Sequence, residues 1–222
     1  MTPATIAQRL DEVVATKKLL EHPFYEAWAS GTLTTDDLNF YSRQYWRQVE
    51  AFPLYLEALA DRLPEGTAKD TVRENLADER GDDHPGLWLR FAEALNAARQ
   101  EVYASPPEPE TTHCVKTFEV GCTDAPLPFA LGMLYAYESQ TPDVAQTKVK
   151  GLKEHYGIDG EPVEYFRLHG ELDVEHSRGL AAALAEVATT EADLRQAEAG
   201  AATGAGAIWG LLDGVARVRD LD

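Results

Sequence analysis

Apolar residues recur at three- and four-residue spacing along almost the whole chain. This spacing places apolar side chains on one face of an α-helix, as Ile6, Leu10 and Val14 illustrate near the start. No segment has the sustained alternation of apolar and polar residues that is typical of a half-buried β-strand. The pattern therefore predicts an all-α protein.

Capping and turn residues divide this pattern into separate helices. Thr34 and Asp37 have the spacing of a capping box and predict the start of a long helix, whereas Gly81 predicts the end of a later one. The proline-rich stretch 105–109 is expected to be a loop. A chain of 222 residues without internal repeats fits one helical domain over residues 1–222. Further helices are expected at 111–123, 127–140, 143–156, 161–187 and 190–219.

The charge and the absence of special segments narrow the class of protein. Acidic residues outnumber basic ones by 38 to 20, a formal net charge of −18, which repels nucleic-acid phosphates and anionic membranes. The longest nearly apolar stretch, 126–137, is too short to cross a bilayer, and the first residues lack the pattern of a targeting signal. Cys114 and Cys122 fall on one predicted helix, too far apart to pair there. We therefore expect a cytoplasmic protein that binds neither nucleic acid nor membranes.

His169, Asp173 and His176 are the strongest candidates for chemistry. Their spacing of four and then three residues puts two imidazoles and a carboxylate on one face of a helix. In an otherwise apolar helix these groups need a partner of opposite charge. Two histidines and one carboxylate with open positions suit iron, so the triad predicts a metal site.

Three further residues are candidates for the same site. Glu138 follows an apolar run, where a carboxylate either needs a cation or reaches solvent at the helix end. Glu79 and His84 would lie about 140° apart on an unbroken helix, so they share a site only if the chain bends near Gly81. Otherwise this acidic stretch is a solvated face. Three imidazoles and three carboxylates balance two divalent ions better than one, which favours a pair of redox-active metals.

Seven short segments, each weak alone, together match the pattern of one known family: 20–28 (LEHPFYEAW), 41–45 (YSRQY), 51–55 (AFPLY), 75–79 (NLADE), 84–88 (HPGLW), 135–140 (YAYESQ) and the pair His169 and His176. They resemble the chlamydial death-domain-associating protein and its bacterial relatives, a branch of the haem-oxygenase-like dimetal oxidases. The resemblance covers about residues 17–187. It implies a haem-oxygenase-like (TenA/PqqC-like) bundle of about seven to nine helices, which holds two irons or a manganese–iron pair and no haem.

The same resemblance implies a ligand set. The interval between the first glutamate and the first histidine is usually two residues longer in the family, which leaves Glu74 and Asp78 as alternatives to the first ligand. By this correspondence the metal ligands are Glu79, His84, Glu138, His169, Asp173 and His176.

The resemblance also implies a reaction. Family members of this branch support p-aminobenzoate formation for folate biosynthesis, using dioxygen and one of their own tyrosines, so that the protein is consumed. Tyr25 corresponds to the sacrificed tyrosine, Tyr41 relays radicals or stands in for it, and Lys148 corresponds to the amine donor. From the pattern alone, Tyr25 is a core aromatic and Lys148 an exposed helix residue. Burial of Lys148 would instead lower its pKa and make its amine nucleophilic.

Three other functions remain open at this point. A related oxygenase would use the same ligands to oxidise an external small molecule. A thiamine-degrading hydrolase of the same fold would need Cys114 or Cys122 as nucleophile and would leave the histidine face unexplained. A non-enzymatic interaction protein would need no metal. For the oxidase, the expected partners are dioxygen and an external reductant, and a homodimer is left open.

Overall fold

The computed structural model describes residues 1–81 and 83–221. Within them the secondary structure is helical and contains no strand, as the spacing of apolar residues predicted. Nine α-helices have at least 11 residues and two are shorter. In chain order they are α1 (Pro3–Val14), α2 (Pro23–Ser30), α3 (Thr35–Arg62), α4 (Thr67–Gly81), α5 (His84–Ala94), α6 (Arg99–Ala104), α7 (Pro109–Thr123), α8 (Leu127–Glu138), α9 (Thr141–Tyr156), α10 (Glu164–Val187) and α11 (Glu191–Arg219).

The capping residues start the helices where the sequence indicated. The backbone N–H of Asp37 donates to the hydroxyl of Thr34 at 3.2 Å, and the Asp37 carboxylate accepts from the N–H of Thr34 at 2.8 Å. The predicted capping box at the start of α3 is therefore confirmed. The helix expected from residue 161 begins at Glu164 instead, after one turn of 3₁₀ helix, and the short helix α6 was not predicted.

The three longest helices, α3, α10 and α11, organise the bundle. α3 packs against α4, α5 and α7, while α10 packs against α4, α8 and α9. α11 lies along α8, and this contact is close because a Cβ on Gly132 would meet the backbone of Ala197, and one on Gly200 would meet the backbone of Phe129. One continuous cluster of buried apolar residues runs from Ile6 to Val215.

Two features of the bundle concern membrane crossing and the hydrolase alternative. Among the described residues, none of the helices combines the length and apolar character needed to cross a membrane. Cys114 and Cys122 are both unpaired and buried on α7. Burial raises the pKa of both thiols, that of Cys122 to about 12, so they lack the thiolate character that a nucleophile needs.

Candidate metal centre and tyrosine–lysine cluster

The predicted triad lies on the inner face of α10. His169, Asp173 and His176 are all buried. The Nδ1 atom of His176 is 3.3 Å from Oδ1 of Asp173, one turn earlier on the helix. The spacing of the triad therefore does bring its polar groups together inside the bundle.

Glu79 and His84 approach the triad from the end of α4 and the start of α5. α4 ends at Gly81, α5 begins at His84, and between them Asp83 has a positive φ of 52°, so the chain turns as the shared site requires. Oε1 of Glu79 lies 3.6 Å from Nε2 of His169. The candidate ligand atoms of Glu79, His84 and His169 lie within 4.8 Å of one another, a separation that one bound ion could span.

Glu138 is the last residue of α8 and is buried beside the same cluster. One of its oxygens, Oε1, accepts a hydrogen bond from Asn75 Nδ2 at 2.6 Å. Its other oxygen, Oε2, and Oδ2 of Asp173 are buried without a hydrogen bond from any described residue. Burial, together with the negative charge of Asp173, raises the pKa of Glu138. Such oxygens are costly to bury unless a cation faces them.

The charges around the cluster attract cations. Burial lowers the pKa of His176, but Asp173, Glu138 and Asp78 outweigh it and raise the pKa to about 9. Burial also opposes the charged form of His169, yet Glu79 and Asp173 raise its pKa above the ordinary value. The same carboxylates that hold protons on these rings would hold metal ions in their place. Three carboxylates and three imidazoles, without thiolates, fit two ions of the iron or manganese type.

Glu74 and Asp78, the two alternatives to Glu79 as the first metal ligand, are not buried among the other candidate ligands. Glu74 is exposed on α4. Asp78 contacts His176 from the solvent side, with its Oδ2 atom 3.1 Å from Nε2 of His176. Of the three acidic candidates on α4, Glu79 alone is buried beside His84 and His169.

Lys148 is the centre of a second buried cluster, formed by α2, α3 and α9. Its side chain is almost inaccessible, and its Nζ atom donates a hydrogen bond to the hydroxyl of Tyr41 at 2.7 Å. The same amine lies 5.4 Å from the ring centroid of Tyr25 and 5.1 Å from that of Tyr45. Burial lowers the pKa of Lys148 to about 7. Lys148 therefore meets the condition under which its amine becomes nucleophilic near neutral pH.

Tyr25 and Tyr41 are both buried beside this amine. Burial raises the pKa of Tyr25, and a hydrogen bond with Tyr41 only partly offsets that effect. Both phenols are thus neutral at physiological pH. The two tyrosines and the lysine singled out in the sequence form one contiguous group.

A narrow cavity connects the two clusters. Tyr25, Tyr45 and Lys148 line one part of its wall, and His169 of the metal cluster lines another. Its free space of about 20 Å³ is close to that of one water molecule. The amine, the Tyr25 ring and a candidate metal ligand therefore face the same small space.

A run of aromatic side chains, which the sequence pattern did not predict, lies beside the cavity. The rings of Tyr45 and Trp88 are stacked at 5.2 Å, Trp88 meets Tyr165 at 5.0 Å, and Tyr165 lies 4.1 Å from the imidazole of His169. The hydroxyl of Tyr45 also donates to that of Tyr137 at 3.2 Å. Each of these residues fits an ordinary core position. The four-residue interval between Tyr165 and His169, which places both on one face of a helix, is the sequence feature that could have indicated their contact.

The chain is similar in sequence to proteins of known family and activity. Residues 39–209 match the model of a haem-oxygenase-type family described as iron-containing redox enzymes. A 4-aminobenzoate synthase from Nitrosomonas europaea is 37% identical over 97% of this chain and 92% of that protein. A 4-aminobenzoate synthase from Chlamydia muridarum is 38% identical over 77% of this chain and 73% of that protein.

The fold also matches a solved structure. A crystal structure of a CADD-like protein of unknown function from Nostoc punctiforme superposes with a TM-score of 0.82 and covers 99% of both chains. The two sequences are only 18% identical, so this similarity concerns the fold.

Proposed function

The chain belongs to the haem-oxygenase-like family of iron-containing redox enzymes, and we propose that it forms p-aminobenzoate by oxidising its own Tyr25 beside a dimetal centre. The observation that carries this proposal is the narrow cavity lined by Tyr25, Lys148 and His169. A ring source, an amine and a metal ligand are thereby held within one shielded space. The 4-aminobenzoate synthases that resemble the chain over most of its length support the same product.

The metal centre would hold two ions, either two irons or one manganese and one iron. When bound, such a pair activates dioxygen as an oxidant. The candidate ligands come from four helices, α4, α5, α8 and α10. Two carboxylate oxygens that no described residue satisfies, one on Glu138 and one on Asp173, support cation binding between these helices. The six proposed ligands are Glu79, His84, Glu138, His169, Asp173 and His176.

The protein's own residues then perform three tasks. Tyr25 supplies the aromatic ring and the carboxyl carbon, its Cβ atom, which is released when the Cα–Cβ bond breaks and is oxidised by dioxygen with the external reductant. Lys148 supplies the nitrogen atom when its Cε–Nζ bond breaks, and this nitrogen replaces the phenolic oxygen, which leaves as water. Tyr41 accepts a hydrogen bond from the amine of Lys148 and holds this amine beside the ring of Tyr25. Because the pKa of Lys148 is about 7, about half of the amine carries a free electron pair at that pH. Burial of all three residues excludes water from the oxidised ring.

The aromatic run provides a route for electrons between the two clusters. Tyr45, Trp88 and Tyr165 form an unbroken series of ring contacts that ends on His169. Tyr41 joins this series through its contact with Tyr45, with ring centroids 5.3 Å apart. Oxidation of Tyr25 therefore does not require direct contact between its ring and the metal ions.

The size of the cavity distinguishes this function from the oxidation of an external substrate. A space of about 20 Å³ admits a molecule of the size of dioxygen or water, whereas sites for small organic ligands usually enclose about 300 Å³ or more. A fatty acid or free amino acid is larger than the space beside Lys148 in this structure. The buried thiols with raised pKa values likewise disfavour the hydrolase alternative.

The proposal is tested by the stoichiometry of the reaction. Purified protein loaded with iron, or with iron and manganese, is given a reductant and oxygen, and p-aminobenzoate is counted per chain. A self-sacrificing protein yields no more than about one product molecule per chain, and label placed in its tyrosines enters the product. Many turnovers per chain, with no label transferred, would replace this proposal by an oxygenase that acts on an external substrate.

A further inference from the structure

The two histidines of the α10 triad hydrogen-bond to the rest of the protein through different ring nitrogens. In His169, Nδ1 lies 2.7 Å from the backbone carbonyl oxygen of Tyr165. A carbonyl oxygen only accepts hydrogen bonds, so Nδ1 carries a proton and Nε2 is the nitrogen left to bind a metal ion. Nε2 is the atom that faces Glu79, at 3.6 Å.

His176 has the opposite arrangement. Its Nε2 atom lies 3.1 Å from Oδ2 of Asp78, which accepts the hydrogen bond, while Nδ1 faces Oδ1 of Asp173 at 3.3 Å. Nδ1 is fully buried, and the side chain of Asp78 is 48% exposed. Nε2 therefore points toward the rim of the cluster, and Nδ1 points into it.

We infer that Asp78 is a positioning residue, which holds His176 so that it binds metal through Nδ1, while His169 binds through Nε2. The inference rests on the proposed dimetal centre. A neutral imidazole has one donor and one acceptor nitrogen, and the hydrogen bond at one nitrogen decides which atom is left for the metal. A carboxylate at the donor nitrogen also fixes the ring orientation and makes the other nitrogen more basic.

This division of roles explains how two adjacent acidic residues serve one centre. The side chain of Glu79 is 7% exposed and lies beside His84 and His169, whereas that of Asp78 is 48% exposed and lies behind His176. Successive residues on a helix point about 100° apart, so α4 presents one carboxylate to the interior and the other to the outer edge of His176. Asp78 is thus not an alternative to Glu79 as a ligand.

The first test measures metal affinity in variants of Asp78. Asp78→Ala should weaken binding of Mn²⁺ at one of the two sites by about 10- to 100-fold, the usual effect of losing such a carboxylate. Asp78→Asn keeps an acceptor oxygen and should recover part of that loss. Glu74→Gln removes one charge from the exposed face of the same helix and is the matched control. Equal affinities for Asp78→Ala and Glu74→Gln would overturn the inference.

The second test identifies the coordinating nitrogens directly. Protein with ¹⁵N-labelled histidine is loaded with Zn²⁺, which is diamagnetic, and the two-bond nitrogen–proton correlations of each ring are recorded. His176 should show its proton on Nε2 and metal at Nδ1, and His169 the reverse. Metal at Nε2 of His176 would overturn the inference, and absence of any metal binding would overturn it together with the proposed centre. Failure to form p-aminobenzoate with this coordination intact would count against the proposed function alone.

Discussion

The amine of Lys148 lies 2.7 Å from the phenolic oxygen of Tyr41, deep inside a bundle whose formal net charge is −18. Burial lowers the pKa of this amine to about 7. The amine is surrounded by rings, with the centroid of Phe166 at 4.8 Å and that of Tyr25 at 5.4 Å. A lysine held in this way is costly for folding, and its free electron pair near neutral pH is useful for chemistry.

The first prediction concerns the pH dependence of product formation. Only the neutral amine of Lys148 can form a bond to carbon, and its pKa is about 7. The rate of a single turnover should therefore rise about tenfold between pH 6 and pH 8 and then level off. The protein is loaded with metal at pH 7.5, moved rapidly to each pH and mixed with oxygen, and its metal content is checked at every point. A rate that is constant over this range would exclude Lys148 as the amine donor.

The second prediction concerns stability. The folded-state pKa of Lys148 is about 7, well below the ordinary value of 10.5, so between these values the unfolded chain binds a proton that the folded chain does not. The contribution of Lys148 to the free energy of unfolding therefore rises with pH through this window and is least favourable below pH 7. Lys148→Met should stabilise the protein at pH 6, by an amount of the order of a few kcal/mol.

The same substitution should have a smaller effect at high pH. At pH 9.5 the folded wild-type protein no longer carries the buried charge, so the gain in free energy of unfolding for Lys148→Met should shrink. Urea unfolding of both proteins at the two pH values measures this difference. Lys150→Met, on the exposed side of α9, is the matched control and should show little change at either pH. An equal gain at both pH values would contradict the pKa of Lys148.

The sequence alone predicts the relative positions of candidate site residues when they lie on one helix. The positions of His169, Asp173 and His176 follow from helical periodicity, because a single element fixes their relation. Glu138 comes from another helix, and its approach to Asp173 depends on how α8 packs against α10. That packing depends on contacts between side chains that are far apart in the chain, and the spacing of apolar residues does not predict such contacts.

The ring contacts of the aromatic run could not be predicted from the sequence for the same reason, because they join different helices. Trp88 and Tyr165 are spaced as core residues, and their ring contact arises only when α5 and α10 meet. The roles of Tyr25 and Lys148 came from a family resemblance, because a buried lysine cannot be distinguished from a solvated one by spacing. The short helix α6 was missed because six residues are too few to show a helical period.

The third prediction concerns metal binding. Protein produced with iron and manganese should contain about two metal ions per chain, because six protein ligands exceed what one ion usually takes. His169→Ala should lose most of the bound metal, since its Nε2 atom faces Glu79 within the cluster. His113→Ala, on the exposed side of α7, is the control and should keep a normal content. Elemental analysis of the purified proteins gives the answer.

Metal removal should also change the thermal stability of the wild-type protein. A chelator should lower its melting temperature, because ions that bind only the folded chain stabilise it by mass action. The effect should be much smaller for His169→Ala, which starts with little metal. A wild-type protein that is free of metal as purified, and whose melting temperature does not respond to added Fe²⁺ or Mn²⁺, would contradict the proposed centre.

The fourth prediction separates the tyrosines by their roles. Tyr25→Phe should abolish p-aminobenzoate formation, because it removes the ring that is proposed to become the product. Tyr41→Phe removes the acceptor of the Lys148 hydrogen bond at 2.7 Å and should reduce the yield without abolishing it. Tyr55→Phe is the matched control, since Tyr55 is equally buried but lies outside the shared cavity and donates to the carbonyl oxygen of Val115 at 3.2 Å. It should leave the yield per chain unchanged.

The measurement for these variants is product and metal per chain after one exposure to reductant and oxygen. All three variants should keep the metal content of the wild type, because none of these tyrosines is among the candidate metal ligands. Mass spectrometry of the reacted wild-type chain should locate the covalent change at residue 25 and spare residue 55. A normal yield from Tyr25→Phe, with the change found at residue 41 instead, would transfer the sacrificed role to Tyr41, whose hydroxyl already accepts the hydrogen bond of the amine.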